Sequence, residues 1–380
     1  MKNTLLTLLS TLVWPLSAQV KVEEFASRKL NATREVSVLT PPSYDADKNR
    51  KYPLLFLLDG NYLFDPFSGM LAYTEYWNDL PEVIIVGINQ ENEEERTLDS
   101  QVAEHNGLPF GQSEKFFEFI AYELIPQLEK QYRIAPFRII AGHNITAGYL
   151  NFFLYKDKPV FNAYICMSPE LAVDMETHVP EQVAQSKSPL YYYLATADGD
   201  LASQKESIKE LDTNMKAVTN PNLKYFFNSF SGASHYSLVT RAIPESLYSI
   251  FSCYQPISST EYSEKIVTMT SGYVKYLTDR YDIIEEDLGL NIPIRLNDFK
   301  AIEAAILKNG AYDELRDLSD VASKQYPKTT LSDYYKGLYY EKTGDNKKAI
   351  KAYMHSYTLE GIGEYTVDFM LEQAEKLKER

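Results

Sequence analysis

The sequence predicts a doubly wound, mostly parallel α/β sheet followed by a smaller all-helical C-terminal domain. Three observations carry this. Short, nearly continuous apolar runs recur between residues 34 and 227, several of them closed by Gly, Asp or Pro. Such runs mark strands buried on both faces of a parallel sheet. Helical patterns with 3.6-residue spacing lie between them, which is the alternation of a doubly wound fold. Beyond Cys253 the apolar runs stop and the chain becomes charged and helical in pattern.

Taken in order, Arg34-Glu35-Val36-Ser37-Val38-Leu39 alternates and ends at Pro41-Pro42, as a strand entering a loop does. Tyr52-Pro53-Leu54-Leu55-Phe56-Leu57-Leu58, closed by Asp59-Gly60-Asn61, is the first buried strand. Val83-Ile84-Ile85-Val86-Gly87-Ile88 is the second and Ile139-Ile140-Ala141-Gly142 the third. Residues 163–167 and 190–195 follow, and Tyr225-Phe226-Phe227 is a weaker sixth. Helices are expected over 113–132, where Phe116, Phe119, Ile120, Leu124 and Leu128 share one face. Others are expected over 146–156 and 203–218 and near 243–251. Residues 256–264 are polar and Ser-rich, a linker pattern. Residues 331–360 resemble one tetratricopeptide-type helical hairpin, with Gly344-Asp345 at its turn. Residues 297–326 can supply a degenerate neighbouring pair, and an ordinary helical bundle is an equal alternative. The expected boundaries are 1–18 for a signal peptide, 19–255 for the α/β domain, 256–296 for a linker and helical connection, and 297–380 for the helical domain.

The 380 residues include 38 Lys and Arg against 53 Asp and Glu, a formal charge of −15. That balance argues against nucleic acid and anionic membrane as partners, because both reward basic patches. The N-terminus reads as a secretory signal: Lys2, an apolar stretch over 5–16, then Ser17-Ala18 with a cut after Ala18. Periplasmic or secreted localisation follows from it. No cysteine follows the apolar run, which excludes a lipoprotein anchor there. No later stretch reaches the ~20 apolar residues of a membrane span. Cys166 and Cys253 read as two free, buried thiols. No Cys/His cluster has metal-ligand spacing and no cofactor motif is present, so neither metal nor cofactor is expected.

The chemistry concentrates at residues 142–146. A strand ending in Gly142-His143, a sharp turn and a helix starting at Thr146 form the frame of a nucleophile elbow. The side chain raised above the sheet is that of Asn144.

Several stretches, spread over residues 37–251, together resemble the esterase family of α/β-hydrolase fold that includes esterase D-like and enterochelin-esterase-like proteins. Pro41-Pro42-Ser43-Tyr44 with the strand through Asp59-Gly60 resembles the family's entry loop and first buried strand. Val86-Gly87-Ile88 with Glu95-Arg96-Thr97-Leu98-Asp99 resembles its next strand and Arg-Thr-x-Asp turn. Residues 116–132, containing Glu123-Leu124-Ile125-Pro126, resemble the helix before the elbow. Phe161-Asn162-Ala163-Tyr164 and Met167-Ser168-Pro169 resemble the strand after it. The resemblance implies carboxyl-ester hydrolysis, with His235 in Ser231-Gly232-Ala233-Ser234-His235 as the base. Asp200 or Asp198 would be the acid that orients it, and the two remain open. The oxyanion would be held by backbone N–H groups of Gly60 or Asn61 and of Ile145.

The elbow departs from that pattern. Family esterases carry Gly-His-Ser, a hydrophobic residue and two glycines, whereas this chain has Gly142-His143-Asn144-Ile145-Thr146-Ala147. An amide nitrogen is not a usable nucleophile, because its lone pair is delocalised. Thr146 and Ser168 are weaker candidates for a substitute hydroxyl. Three readings follow. The protein binds a small ester or related ligand without hydrolysing it, with a protein partner on the C-terminal helical domain. Alternatively it is a carboxyl-ester hydrolase with an altered mechanism, in which Asn144 holds a water that His235 activates. Or it is a scaffold or assembly component of the cell envelope.

Overall fold

The computed structural model describes residues 20–90, 92–156 and 158–379, and the expected signal peptide lies outside them. The chain divides into two compact units. The first takes the chain up to Ala72 together with Glu82–Ser246, and the second takes Tyr73–Pro81 together with Leu247–Arg380.

The first unit is built on one eight-stranded sheet. Its strands are β1 (Lys21–Ser27), β2 (Ala32–Leu39), β3 (Tyr52–Leu57), β4 (Ile84–Asn89), β5 (Ile134–His143), β6 (Ala163–Met167), β7 (Leu190–Gly199) and β8 (Leu223–Ser234). Their spatial order is β1-β2-β4-β3-β5-β6-β7-β8. β1 pairs antiparallel with β2, and β2 antiparallel with β4. Every pairing from β4 through β8 is parallel. This is the α/β-hydrolase sheet that the buried apolar runs imply. Every residue of β3 and of β6 is buried, which is why both read so clearly.

Some elements differ from expectation for identifiable reasons. β1 carries no apolar run, because it is an edge strand of which only Phe25 and Ser27 are buried. β7 and β8 run past their apolar cores because they keep pairing with each other, as far as Gly199 opposite Ser234. The helix over 113–132 is continuous but changes pitch: Gln112–Glu118 is α, Phe119–Leu124 is a π turn, and Ile125–Gln131 is α again. Pro126 has no N–H to give back to the preceding turn, and a π bulge accommodates that loss. The elbow helix is α only over Ile145–Tyr149 and tightens to 3₁₀ over Leu150–Leu154. The polar 256–264 stretch is partly helical, with the Ser258 hydroxyl capping Ser259–Glu261 by accepting from Glu261 N at 3.0 Å.

The second unit is helical, with Tyr273–Leu288, Leu296–Asn309, Glu314–Gln325, Thr330–Lys342, Asn346–His355 and Val367–Lys378 as its longer helices. Thr330–Lys342 and Asn346–His355 form a hairpin turned at Gly344, where φ is 86°. Gly337 lies under the Tyr353 ring, and a β-carbon there would sit 2.3 Å from it. No disulfide joins Cys166 and Cys253. Among the described residues no helix is long and apolar enough to cross a membrane.

Candidate active site

β5 delivers the elbow. Its last residue is His143, and the next, Asn144, has φ 61° and ψ −119°, followed directly by the helix at Ile145. A positive φ is strained for a non-glycine residue and marks functional turns when its neighbours hold it there. Here they do. Asn144 N donates to Met167 O (3.0 Å), and Asn144 O accepts from Gly148 N (3.1 Å) and Glu170 N (3.0 Å). Gly148 permits this approach, since a β-carbon there would lie 1.8 Å from Glu170 O.

Thr146, the first residue that stands where the resembled esterases carry glycine, is structural. Thr146 is buried, and its hydroxyl donates to Asp59 Oδ2 and accepts from His143 N at 3.0 Å. Asp59 is 1% exposed and takes the Arg96 Nε–H at 2.7 Å. A further Arg96 nitrogen donates to the His143 carbonyl at 2.9 Å. Tyr62 donates to Asp59 Oδ2 (3.0 Å) and lies 3.1 Å from His143 Nδ1. This network fixes the backbone just before Asn144. Sequence reasoning noticed Arg96 only as part of a motif and did not assign Asp59, Tyr62 or His143 a role. The signal available was the position of Asp59 at the C-terminal end of a buried strand, where ligands bind in open α/β sheets. His143 is held down to about pH 4 in its titration, first by burial and then by the neighbouring His235, so it stays neutral.

His235 sits on the turn after β8, and its Nδ1 is 2.7 Å from Asp200 Oδ1. Asp200 is buried and collects donors: Ser168 Oγ (2.7 Å), Thr196 Oγ1 (2.8 Å) and Ala197 N (2.8 Å). Burial raises its titration, but these bonds outweigh that and hold the carboxyl below its ordinary range. Asp198 does something else. It is exposed, and its Oδ2 accepts from Ser231 Oγ (3.0 Å) and Gly232 N (2.8 Å), which pins the β8 turn. Ser168 orients Asp200 and is fully buried.

Asn144 and His235 line one cleft of about 660 Å³, together with Glu170, Leu201, Gln204 and Tyr236. Gln204 was not legible in the sequence. It lies in the helix Ala202–Ala217, and its Nε2 donates to Asn144 Oδ1 at 3.2 Å and to Ser168 O at 2.6 Å. Gly60 and Asn61 do not open on this cleft but line another of about 480 Å³, beside Arg34, Asn89 and Gln90. Asn61 is turned that way by two bonds, Nδ2 to Gln90 O (2.5 Å) and Gln90 N to Oδ1 (3.1 Å). Ile145, as first residue of the elbow helix, has no intrahelical acceptor for its N–H. Among the described residues no cluster of His, Cys, Asp or Glu fits a metal ion.

A mostly parallel sheet with an elbow after β5 and a buried Asp–His pair after β7 and β8 defines an α/β-hydrolase framework. Residues 27–190 match the family model described as "Putative esterase". The matched residues lie within the α/β part of the chain. The ferri-bacillibactin esterase BesA of Bacillus subtilis (strain 168) is 24% identical, over 60% of this chain and 89% of its own. A solved structure of an uncharacterised protein from Capnocytophaga ochracea DSM 7271 is 28% identical, with a TM-score of 0.86. That match covers 95% of this chain and 100% of the other, so the likeness includes the helical unit. An IroE-like serine hydrolase from Shewanella oneidensis shares the fold at 19% identity and a TM-score of 0.60, over 80% of this chain and 99% of its own.

Proposed function

We propose that this protein is an exported, esterase-like binding protein whose cleft holds a small ester or related ligand without ordinary serine-esterase turnover. One observation carries the reading: the side chain raised by the elbow is an amide whose oxygen is already engaged by Gln204. An amide so placed supplies no nucleophile. Export rests on Lys2 and the apolar stretch over 5–16. The name of BesA makes that relative an esterase of ferri-bacillibactin, which makes an ester-containing small molecule the natural ligand class to try first. The tetratricopeptide-like hairpin Thr330–Lys342 and Asn346–His355 supports a protein-binding role for the helical unit.

A second reading is favoured by the His235–Asp200 pair, whose 2.7 Å contact is what a general base needs. In it, Asn144 positions a water, His235 takes its proton as the water attacks the ester carbonyl, and His235 returns that proton to the alkoxide as the ester C–O bond breaks, giving acid and alcohol. The experiment that separates the two is hydrolysis of p-nitrophenyl acetate and butyrate by wild-type protein and by His235→Ala. The binding reading expects both to match the uncatalysed rate. Turnover by wild-type that His235→Ala abolishes would establish the second reading instead.

A further inference from the structure

The uncommitted polar atoms of the Asn144 cleft specify a ligand chemistry, given the binding reading above. Gln204 is 9% exposed, and its Nε2 lies 2.6 Å from the Ser168 carbonyl. A carbonyl only accepts, so the Gln204 amide has one orientation. The other hydrogen of the same nitrogen faces Asn144 at 3.2 Å, so the Asn144 atom on that side is the oxygen. Its Nδ2 is thereby turned away from Gln204, and it bonds to no other described residue. The same logic fixes His235. Asp200 is an ionised acceptor, so Nδ1 carries a proton, and when the ring holds no second proton Nε2 offers a lone pair. Asn144 and His235 line the same cleft. Its other lining side chains include Leu201 and Tyr236, which are 73% and 79% exposed.

We propose that Asn144 Nδ2 and His235 Nε2 form a donor–acceptor pair that recognises a neutral carboxamide, with Leu201 and Tyr236 taking an apolar arm of the same ligand. A carboxamide gives its oxygen to Asn144 and an N–H to His235. An ester has no N–H, which leaves the His235 lone pair desolvated and unmatched. A carboxylate would meet that lone pair with negative charge, near Asp200 behind His235 and Glu170 in the cleft lining. The inference rests on the binding reading, because a nucleophile at position 144 would need the His235 lone pair for itself.

The test is isothermal titration calorimetry of the full-length protein with phenylacetamide, methyl phenylacetate and phenylacetate. Phenylacetamide is expected to bind about tenfold or more tightly than either competitor, a difference of about 1.4 kcal/mol per decade. Asn144→Asp, which removes the donor at constant shape, is expected to lose about tenfold for phenylacetamide. Gln204→Met frees the Asn144 amide to rotate and is expected to weaken the carboxamide preference several-fold. Circular dichroism on each variant confirms that it is folded. Equal or tighter binding of the ester or the carboxylate overturns the proposal, as does unchanged affinity in Asn144→Asp or absence of phenylacetamide binding. Chromatography of the titrated ligand keeps the two claims apart. Cleavage of phenylacetamide sinks the binding reading and the recognition pair with it, whereas no binding with no turnover sinks the pair alone.

Discussion

Asn144→Ser restores the one group the elbow lacks, and the structure sets what should happen. The substitution removes the Gln204–Asn144 bond, worth about 1 kcal/mol. Asn also tolerates φ 61° better than Ser, which adds roughly another 0.5–1 kcal/mol. A loss of about 1–2 kcal/mol lowers Tm by roughly 1–3 °C in a chain of 380 residues, so the variant stays folded at 25 °C. The histidine and its carboxylate are in place: His235 is 2.7 Å from Asp200, and Asp200 has its other donors. Triad members act as a unit, so supplying the missing one should raise p-nitrophenyl butyrate turnover at least ~10²-fold over wild-type. Thr146 and Ala147, where the family has glycines, hold the rate below that of a native esterase. The introduced serine should also react with a fluorophosphonate probe, and adding His235→Ala should remove both signals. A folded Asn144→Ser protein that neither turns over ester nor takes the label would refute the reasoning. So would activity that survives loss of His235.

The network around the elbow makes further predictions. Arg96→Ala leaves Asp59, 1% exposed, without its cation, and should cost about 3–5 kcal/mol in urea unfolding. Gly148→Ala forces a β-carbon to 1.8 Å from Glu170 O, so the elbow helix must shift. Its unfolding free energy should fall by about 3 kcal/mol or more, read by urea denaturation. His143 gives a pH dependence. Its titration is lowered from 6.5 to about 4 in the fold, so between those values the unfolded chain binds a proton that the native state refuses. Stability is therefore full above about pH 6.5 and is lost as pH falls towards 4, by about 3 kcal/mol. His143→Gln should flatten that limb of the stability–pH curve, and an unchanged slope would assign it to other groups.

The fold was legible where burial on both faces leaves a one-dimensional trace. β6 appears in the sequence at its observed bounds because all five of its residues are buried. β1 leaves no trace, because an edge strand is specified by its partner: Phe25 opposite Arg34 and Glu23 opposite Val36 are facts about two segments. The site divides the same way. Asn144 is legible from its local strand–turn–helix pattern, and His235 only through the resemblance to the esterase family. Choosing Asp200 over Asp198 required knowing which carboxylate is buried beside the histidine, and two residues of separation in a Gly-containing acidic loop do not say. Gln204, sixty positions from Asn144, carries no sequence mark at all. Thr146 is the instructive case. In sequence it is a lost glycine beside a lost serine, which suggests decay of a working site. In the structure its hydroxyl joins Asp59 and the His143 backbone, while Arg96 ties Asp59 to the His143 carbonyl. Gln204 holds the amide from the other side. The strained turn is thus braced by its neighbours and not by the residue it raises. That is why the elbow keeps its geometry with an amide in place of a hydroxyl, and why the identity of residue 144 can be changed as a single variable.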